Sequence, residues 1–276
     1  MKHRVIFAVL LTGVTLAGAH ATAGQRQTHG APKTPARPAA PAKAAPTRAE
    51  RPVPFHVGET LTYDVSWSMY VTAGTVVATV QEKKPSFGSS AYYIVAEARP
   101  TPLLSKLYSL YYKLDTLLDV YTLLPQRGSI YSEEGSRHRY RLTRFDRAAQ
   151  RAFFEYQTGS TITSDFAVSP YVQDALSAMY VLRAIPLKSG DRMTMPVSDN
   201  GKLYKVEIEV GAAEKVKTPL GEISSWRLKP TIVDAQGQTQ GRNMAIWVSD
   251  DARRLPVKYQ VEVGVGSFNL TLREVR

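Results

Sequence analysis

Apolar and polar residues alternate along most of the chain after residue 53. In the segment Leu61–Trp67, residues 61, 63, 65 and 67 are apolar or aromatic and the residues between them are polar. A two-residue period puts successive side chains on opposite faces of an extended strand, so it favours β structure over helix. The same pattern recurs in Val76–Val80, Tyr204–Val210, Val257–Val263 and Phe268–Leu272.

Turn signals separate the alternating segments. They include Gly74, Ser189-Gly190-Asp191, Asp199-Asn200-Gly201 and Gly264-Val265-Gly266. Short turns of this kind join antiparallel strands, because parallel strands need longer crossover connections. We therefore predict a single mainly β domain over residues 53–276. It would be a long curved antiparallel sheet, open or spiral and barrel-like, of about 12–14 strands, with two short helices packed on it.

Two segments have a helical period instead. The first begins with the cap Thr101-Pro102, and one face of it would hold Leu103, Leu104, Leu107, Tyr111 and Leu114. The second has a similar start at Ser169-Pro170 and would end before Pro186, since proline cannot continue a helix. We expect both helices to cover a face or an open end of the sheet.

The first 23 residues have the three parts of a secretory signal peptide. Lys2–Arg4 provide the positive start, Val5–Leu16 the apolar run, and small residues follow. A membrane-spanning helix needs about 20 apolar residues, so we predict cleavage after Ala23, with an uncleaved anchor as the alternative. We expect no transmembrane segment in the mature chain, and we expect export to the periplasm or envelope of a bacterium.

Residues 24–52 are rich in proline, alanine and basic residues, so we predict a disordered spacer that acts as a tether or only as a solubilising leader. The N-terminal region also explains most of the net charge of +11. Residues 1–52 hold eight Lys or Arg and one acid, which leaves +4 for the other 224 residues. A domain this weakly basic gives little reason to expect a nucleic-acid partner.

The domain shows no recognisable catalytic or metal-binding motif. The chain has no cysteine, and only two of its five histidines, His56 and His138, lie in the predicted domain. Neither histidine has a nucleophile motif nearby, and there is no H-E-x-x-H metal motif. We therefore predict no catalytic residue, no metal site and no cofactor.

One strand has an unusual concentration of arginine. Arg137, Arg139 and Arg141 alternate on one face of it. Arginine offers a planar pair of donors that suits phosphates and carboxylates. We therefore predict a binding face for an anionic envelope component such as a lipid head group. The alternative is a solvated outer face with cross-strand partners.

The domain is also rich in aromatic residues. We predict that Trp67, Trp226 and Trp247, together with Tyr108 and Tyr111 on the first helix, line an apolar cavity between the sheet and the helix. Ordinary core packing is the alternative explanation.

Several motifs, taken in order, resemble a known bacterial family, the one catalogued as domain of unknown function 3108. The motifs are Phe55–Trp67, Ala73-Gly74-Thr75, Thr218–Glu222 and Trp247–Val257. The resemblance implies an exported envelope protein without an assigned activity, so it transfers no catalytic residue. By analogy only, a long curved sheet with a covering helix in a periplasmic protein is similar to the half-barrel of lipoprotein carriers, which accommodates acyl chains.

These observations support two hypotheses of function. The first is a non-enzymatic periplasmic protein that binds a lipid or another amphipathic or anionic envelope component in a groove between sheet and helix. The second is a scaffold for protein–protein or cell-wall interactions, whose interior is filled by its own side chains. A cavity would favour the first hypothesis, because a scaffold needs none.

Overall fold

The structure is a computed structural model that describes residues 48–68, 71–240, 242–262 and 266–276. The predicted signal peptide lies outside the described residues, as does the predicted spacer except for its last five residues. The strands are β1 (Thr60–Trp67), β2 (Val71–Ser86), β3 (Ser89–Pro100), β4 (Leu110–Asp119), β5 (Pro125–Glu134), β6 (Arg137–Asp146), β7 (Arg151–Thr158), β8 (Ser160–Ala167), β9 (Gln173–Asp174), β10 (Arg192–Asp199), β11 (Lys202–Thr218), β12 (Gly221–Asp234), β13 (Thr239–Gln240), β14 (Arg242–Ser249), β15 (Pro256–Glu262) and β16 (Ser267–Val275). The helices are α1 (Pro102–Leu107) and α2 (Ala175–Ala184).

The strands form one sheet within the described part of the chain. Its order is β8-β7-β6-β5-β4-β3-β2-β1-β16-β15-β14-β12-β11-β10-β9, with β13 paired to β12. Neighbours are antiparallel except β9 and β10, and the edges β8 and β9 are not paired with each other. The predicted mainly β fold with a large open sheet is confirmed. Two of the 16 strands have only two residues, and the other 14 match the upper end of the predicted number.

The alternating residues of β1 form part of the core, as their pattern predicts. Leu61, Tyr63 and Val65 are buried and lie on the face of the sheet that α2 covers, here called the inner face. The helix bridges separate parts of this core. Tyr180 packs into one apolar cluster and Leu182 into another, which fixes α2 across the inner face.

The first helix is shorter than predicted. The predicted cap is present, since Thr101 Oγ1 accepts a hydrogen bond from the backbone of Leu104, but α1 ends at Leu107. The prediction that Tyr111 and Leu114 lie on this helix is wrong, because both belong to β4. The spacing of these residues suits a helix face and a strand equally well. Pairing of β4 with both β3 and β5 decides in favour of the strand.

The second helix begins later than predicted. Ser169-Pro170 forms a turn, and the N-cap is Asp174, whose carboxylate accepts hydrogen bonds from the backbone of Leu176 and Ser177. Residues 173 and 174 first pair with β10, which keeps them extended. The predicted end is correct, because α2 stops at Ala184.

A buried ion pair attaches the end of α2 to the sheet. Arg183 is 1% exposed, and its two terminal nitrogens donate to the carboxylate of Glu59 at 2.6 and 2.8 Å. The same guanidinium donates to the carbonyl oxygens of Pro54, Arg253 and Arg254. One side chain therefore joins the helix to the segment before β1 and to the turn between β14 and β15.

Removing one partner of this pair should destabilise the fold strongly, because the other charge would stay buried without compensation. We expect Glu59→Gln to lower the free energy of unfolding by about 3–5 kcal/mol, measured by urea denaturation. The control is Glu50→Gln, which breaks the exposed pair with Lys83 and should cost less than about 1 kcal/mol. Equal losses in the two variants would contradict a stabilising role of the buried pair.

The carboxylate of Asp174 holds the start of α2. Besides its bonds to the helix backbone, it accepts a hydrogen bond from Thr116 on β4 at 2.6 Å. Burial raises the pKa of Asp174 to about 6, although hydrogen bonds from Ser177 and Thr116 act to lower it. The folded state therefore binds this proton more tightly than the unfolded chain, where the pKa is near 3.8.

This raised pKa predicts a pH dependence of stability. The stabilisation from the protonated carboxyl is fully present below about pH 4 and is lost as the pH rises through about 6. Asp174→Asn keeps a good N-cap but does not titrate. Relative to the wild type, we expect this variant to gain about 2 kcal/mol between pH 4 and pH 7 in urea unfolding. A difference between the two proteins that is independent of pH would contradict the prediction.

Candidate ligand cavity

Three alanines on neighbouring strands leave space on the inner face. Ala78 on β2 lies directly opposite Ala96 on β3, and Ala98 lies opposite Val76. Directly opposite residues share a face, so these small side chains form a recess in the sheet. Leu176 of α2 packs against this group from the other side.

The recess and α2 enclose an apolar cavity of about 190 Å³. Its walls come from β1 to β4, from β14 to β16 and from the helix. Val76, Met179 and Leu270 belong to these walls and are only partly buried, although they lie in the interior. Their remaining accessible surface is explained by the cavity that they face.

Three tyrosines line the cavity near the end of α2. Tyr63, Tyr180 and Tyr259 lie there beside Arg183. Arg183 itself is fully engaged by its bonds to Glu59 and to backbone carbonyls. The hydroxyl of Tyr180, in contrast, is buried and has no hydrogen-bond partner among the described residues. Burial raises the pKa of Tyr180, so its hydroxyl stays protonated and can donate to a ligand oxygen.

A small polar pocket of about 30 Å³ adjoins the cavity near the start of α2. Leu114, Ala175 and Leu176 line both spaces. Arg141 lines the polar pocket, and its Nη1 atom is buried without a hydrogen-bond partner in the described part of the chain. The hydroxyl of Ser198 is likewise buried and has no hydrogen-bond partner among the described residues. Both groups can donate to an oxygen placed between the helix and β6.

The carboxylates of the polar pocket already have donors of their own. Asp115 accepts from Arg127 and Ser129, Asp174 accepts from the backbone of α2, and Asp199 accepts from the side-chain amide of Asn200. None of these hydrogen bonds comes from Nη1 of Arg141, which is buried without a partner among the described residues.

An opening lies where β12 and β14 separate. Their pairing stops at Leu228 and Ile246, whereas β12 continues to Asp234. A depression of about 650 Å³ occupies this place. It shares with the cavity the residues Met244, Ala245 and Gln260. The depression and the cavity therefore adjoin at these three residues.

The alternating arginines of the arginine-rich strand β6 point to the inner face of the sheet. The register runs from Ala96 through Leu114 and Ile130 to Arg141, so all four residues share one face. Arg139 follows on the same face and pairs with Glu134 at 2.9 Å. Arg139 and Arg141 are half-buried, so the alternative interpretation is wrong in placing them on a solvated outer face, although Arg139 does have the cross-strand partner that it expects. It fits only Arg137, which is exposed at the start of β6.

The three tryptophans do not line the cavity. The ring of Trp67 packs edge-on against Phe268, which is itself a wall residue. The indole of Trp247 is buried elsewhere and donates to Glu214 at 2.5 Å. Trp226 is half-buried against another apolar cluster. Core packing, the alternative explanation, accounts for all three.

The two predicted tyrosines also lie away from the cavity. Tyr108 is exposed just after α1, and the hydroxyl of Tyr111 on β4 donates to Glu97 at 2.5 Å. The actual wall residues that sequence reasoning missed are the alanines and Tyr180. Ala78 stands at an alternating position of a predicted strand, but only the register shows that it meets Ala96 and Ala98 of β3.

No other chemistry is evident in the described ranges. His56 and His138 are both exposed. The same residues hold no group of three or more His, Asp or Glu side chains that could bind a metal ion. In the part of the chain that the structure describes, neither helix is long or apolar enough to cross a membrane.

The fold is similar to solved structures of bacterial proteins. A β-barrel-like protein of the domain of unknown function DUF1849 from Brucella abortus has a TM-score of 0.50 at 10% identity, covering 79% of this chain and 97% of that one. A predicted exported protein with a YmcC-like fold from Bacteroides fragilis has a TM-score of 0.35 at 11% identity, covering 83% and 100%. A predicted lipoprotein from Parabacteroides distasonis has a TM-score of 0.36 at 8% identity, with the same coverage.

Among curated proteins, no sequence matches the chain. The model of the family described as Protein of unknown function (DUF3108) matches residues 62–273, which is more than half of the chain and includes nearly all the strands. This match confirms the resemblance seen in the four motifs. The chain therefore belongs to the DUF3108 family.

Proposed function

We propose that this protein binds an amphipathic molecule of the bacterial envelope and does not catalyse a reaction. The apolar part of the ligand would lie in the cavity under α2, and its polar part would lie in the adjoining pocket at Arg141. The observation that carries the proposal is the apolar cavity itself. A scaffold filled by its own side chains, the other hypothesis, gives no reason for such a space.

The size and lining of the cavity support this role. A dry engineered cavity of about 150 Å³ in another protein binds benzene, so a space of about 190 Å³ suits a ring or a stretch of acyl chain. Cavities destabilise by about 24 cal/mol per Å³, which gives an empty space of this size a cost on the order of 5 kcal/mol. A bound apolar chain would remove that cost, and the Tyr180 hydroxyl would gain an acceptor.

The polar pocket supports an oxygen-rich head group. Leaving a buried donor unpaired costs about 1–3 kcal/mol, and more for a charged group. Nη1 of Arg141 is such a donor and lies next to the cavity. A phosphate or carboxylate would supply the missing acceptor.

We also propose that the domain acts outside the cytoplasm. The signal-like residues 1–23 support export, and residues 24–52 would then link the signal to a domain of residues 53–276. The last residues of this spacer contact the domain, because Glu50 pairs with Lys83 and the backbone N–H of Arg51 donates to the carbonyl oxygen of Val120. Lipids and other amphipathic molecules are abundant in such a compartment.

Filling the cavity should abolish binding. We expect Ala96→Leu to weaken binding of the neutral fluorescent probe N-phenyl-1-naphthylamine at least about tenfold, because the larger side chain occupies the recess. The control is Ala213→Leu, the same change at an exposed position of β11, and it should bind like the wild type. Thermal unfolding would verify that both variants fold. Wild-type affinity in Ala96→Leu, or no binding to the wild type, would contradict the proposal.

Removing the free donor should affect only ligands with an anionic head group. We expect Arg141→Gln to weaken competition by dodecyl phosphate about 10- to 100-fold, since bonds to charged groups contribute about 1.5–3 kcal/mol. Competition by dodecanol should stay unchanged. Arg137→Gln, at the exposed position on the same strand face, is the matched control and should behave like the wild type. If Arg141→Gln weakens competition by dodecanol and by dodecyl phosphate equally, Arg141 does not select the head group.

A further inference from the structure

Helix α1 exposes apolar side chains to an unusual degree. Leu103 is 72% exposed, Leu107 is 78% exposed and Tyr108 is 53% exposed, and no residue of α1 is buried. Leu103 and Leu107 are four residues apart, so they project from the same side of the helix. An exposed apolar group of this kind marks a contact surface for another molecule or a membrane.

The helix lies at one end of the cavity. Leu104, which is only partly buried, packs against a cluster formed by Val65, Ala73 and Phe268. Val65 and Phe268 are walls of the cavity. The inner side of α1 therefore touches the cavity wall, while its outer side carries the exposed leucines.

The opening between β12 and β14 is at the same end of the sheet. The strand register joins Phe268 to Val261 and Val261 to Met244, so these three residues form one row across β16, β15 and β14. Met244 lines both the cavity and the opening. Any surface in contact with α1 would therefore also lie close to the opening between β12 and β14.

The exposed charged side chains beside α1 that have no ion-pair partner are basic. Lys106 on the helix and Arg137 at the start of β6 are exposed, and neither has a carboxylate partner within the described residues. The turn before Arg137 touches the end of the helix, since the backbone of Gly135 donates to Ser109 at 2.8 Å. The neighbouring Glu134 is already paired with Arg139 and Tyr112.

We infer that α1 and the adjoining turn form a docking surface for an anionic lipid bilayer. Leu103, Leu107 and Tyr108 would enter the boundary between head groups and acyl chains, and Lys106 and Arg137 would contact the anionic head groups. The inference rests on the proposed function, because a ligand with an apolar chain would then pass between bilayer and cavity without crossing water. The combination of apolar and basic side chains beside the opening favours a bilayer over a protein partner.

Insertion can be measured with a dye at one position, because the chain has no cysteine. In Ser105→Cys, an environment-sensitive dye would lie on α1. In Ser224→Cys, the same dye would lie at an exposed position of β12. We expect vesicles of phosphatidylcholine with phosphatidylglycerol to shift the dye emission to the blue in the first protein only. Pure phosphatidylcholine vesicles should bind at least about tenfold more weakly, because the electrostatic attraction is absent.

Replacing the exposed leucines should abolish insertion. In the Ser105→Cys background, we expect Leu103→Ser with Leu107→Ser to remove the shift and to weaken vesicle binding at least about tenfold. Leu220→Ser, at an exposed turn between β11 and β12, is the matched control and should keep the shift. The basic segment before the domain is identical in all variants, so its attraction to anionic lipid does not account for a difference among them.

The outcomes separate this inference from the proposed function. Binding of N-phenyl-1-naphthylamine should be the same in the double serine variant and in the wild type, since the leucines do not line the cavity. No shift in Ser105→Cys, or an equal shift in Ser224→Cys, would overturn docking through α1 even if the probe binds. Loss of the shift in Leu220→Ser would overturn it as well, because the effect would then not be local to the helix.

Discussion

The bidentate pair between Arg183 and Glu59 is the interaction on which the inner architecture depends. Two charges removed from water are tolerated only when their geometry satisfies nearly every donor and acceptor, and here the guanidinium also reaches three backbone carbonyls. Those carbonyls belong to the segment before β1 and to the turn between β14 and β15. The pair therefore fixes α2 relative to both sides of the cavity. Tyr180 and Leu182, which pack into two separate apolar clusters, hold the same end of the helix by burial.

The recess depends on small side chains as much as on the helix. A sheet with leucine or valine in place of Ala78 and Ala96 would meet Leu176 and Met179 in ordinary core packing, and no cavity would remain. The alanines therefore make fewer apolar contacts than leucine or valine would make at the same positions. Such a loss of packing is characteristic of a binding site, where a ligand completes the core.

The sequence was sufficient for the fold class but not for the site. The alternation around Leu61–Trp67 correctly predicted strands, because a two-residue period has no helical equivalent. The spacing of Tyr111 and Leu114 also fits a helix, and only the pairing of β4 with β3 and β5 resolves the ambiguity. Glu59 and Arg183 are separated by 124 residues, so no local sequence pattern predicts their contact. The arginines of β6 were recognised as one face, but which face they occupy depends on the register of several strands.

The two ends of α2 are held in chemically different ways. At its end, Arg183 keeps its charge throughout the physiological range, so this attachment is insensitive to pH. At its start, burial raises the pKa of Asp174 to about 6, so the carboxyl group that accepts from Thr116 on β4 changes its charge near neutrality. The start of the helix borders the polar pocket with Arg141, and its end borders the tyrosines. The group of α2 that titrates near neutrality therefore borders the polar pocket, and the group with a fixed charge borders the tyrosines at the other end of the cavity.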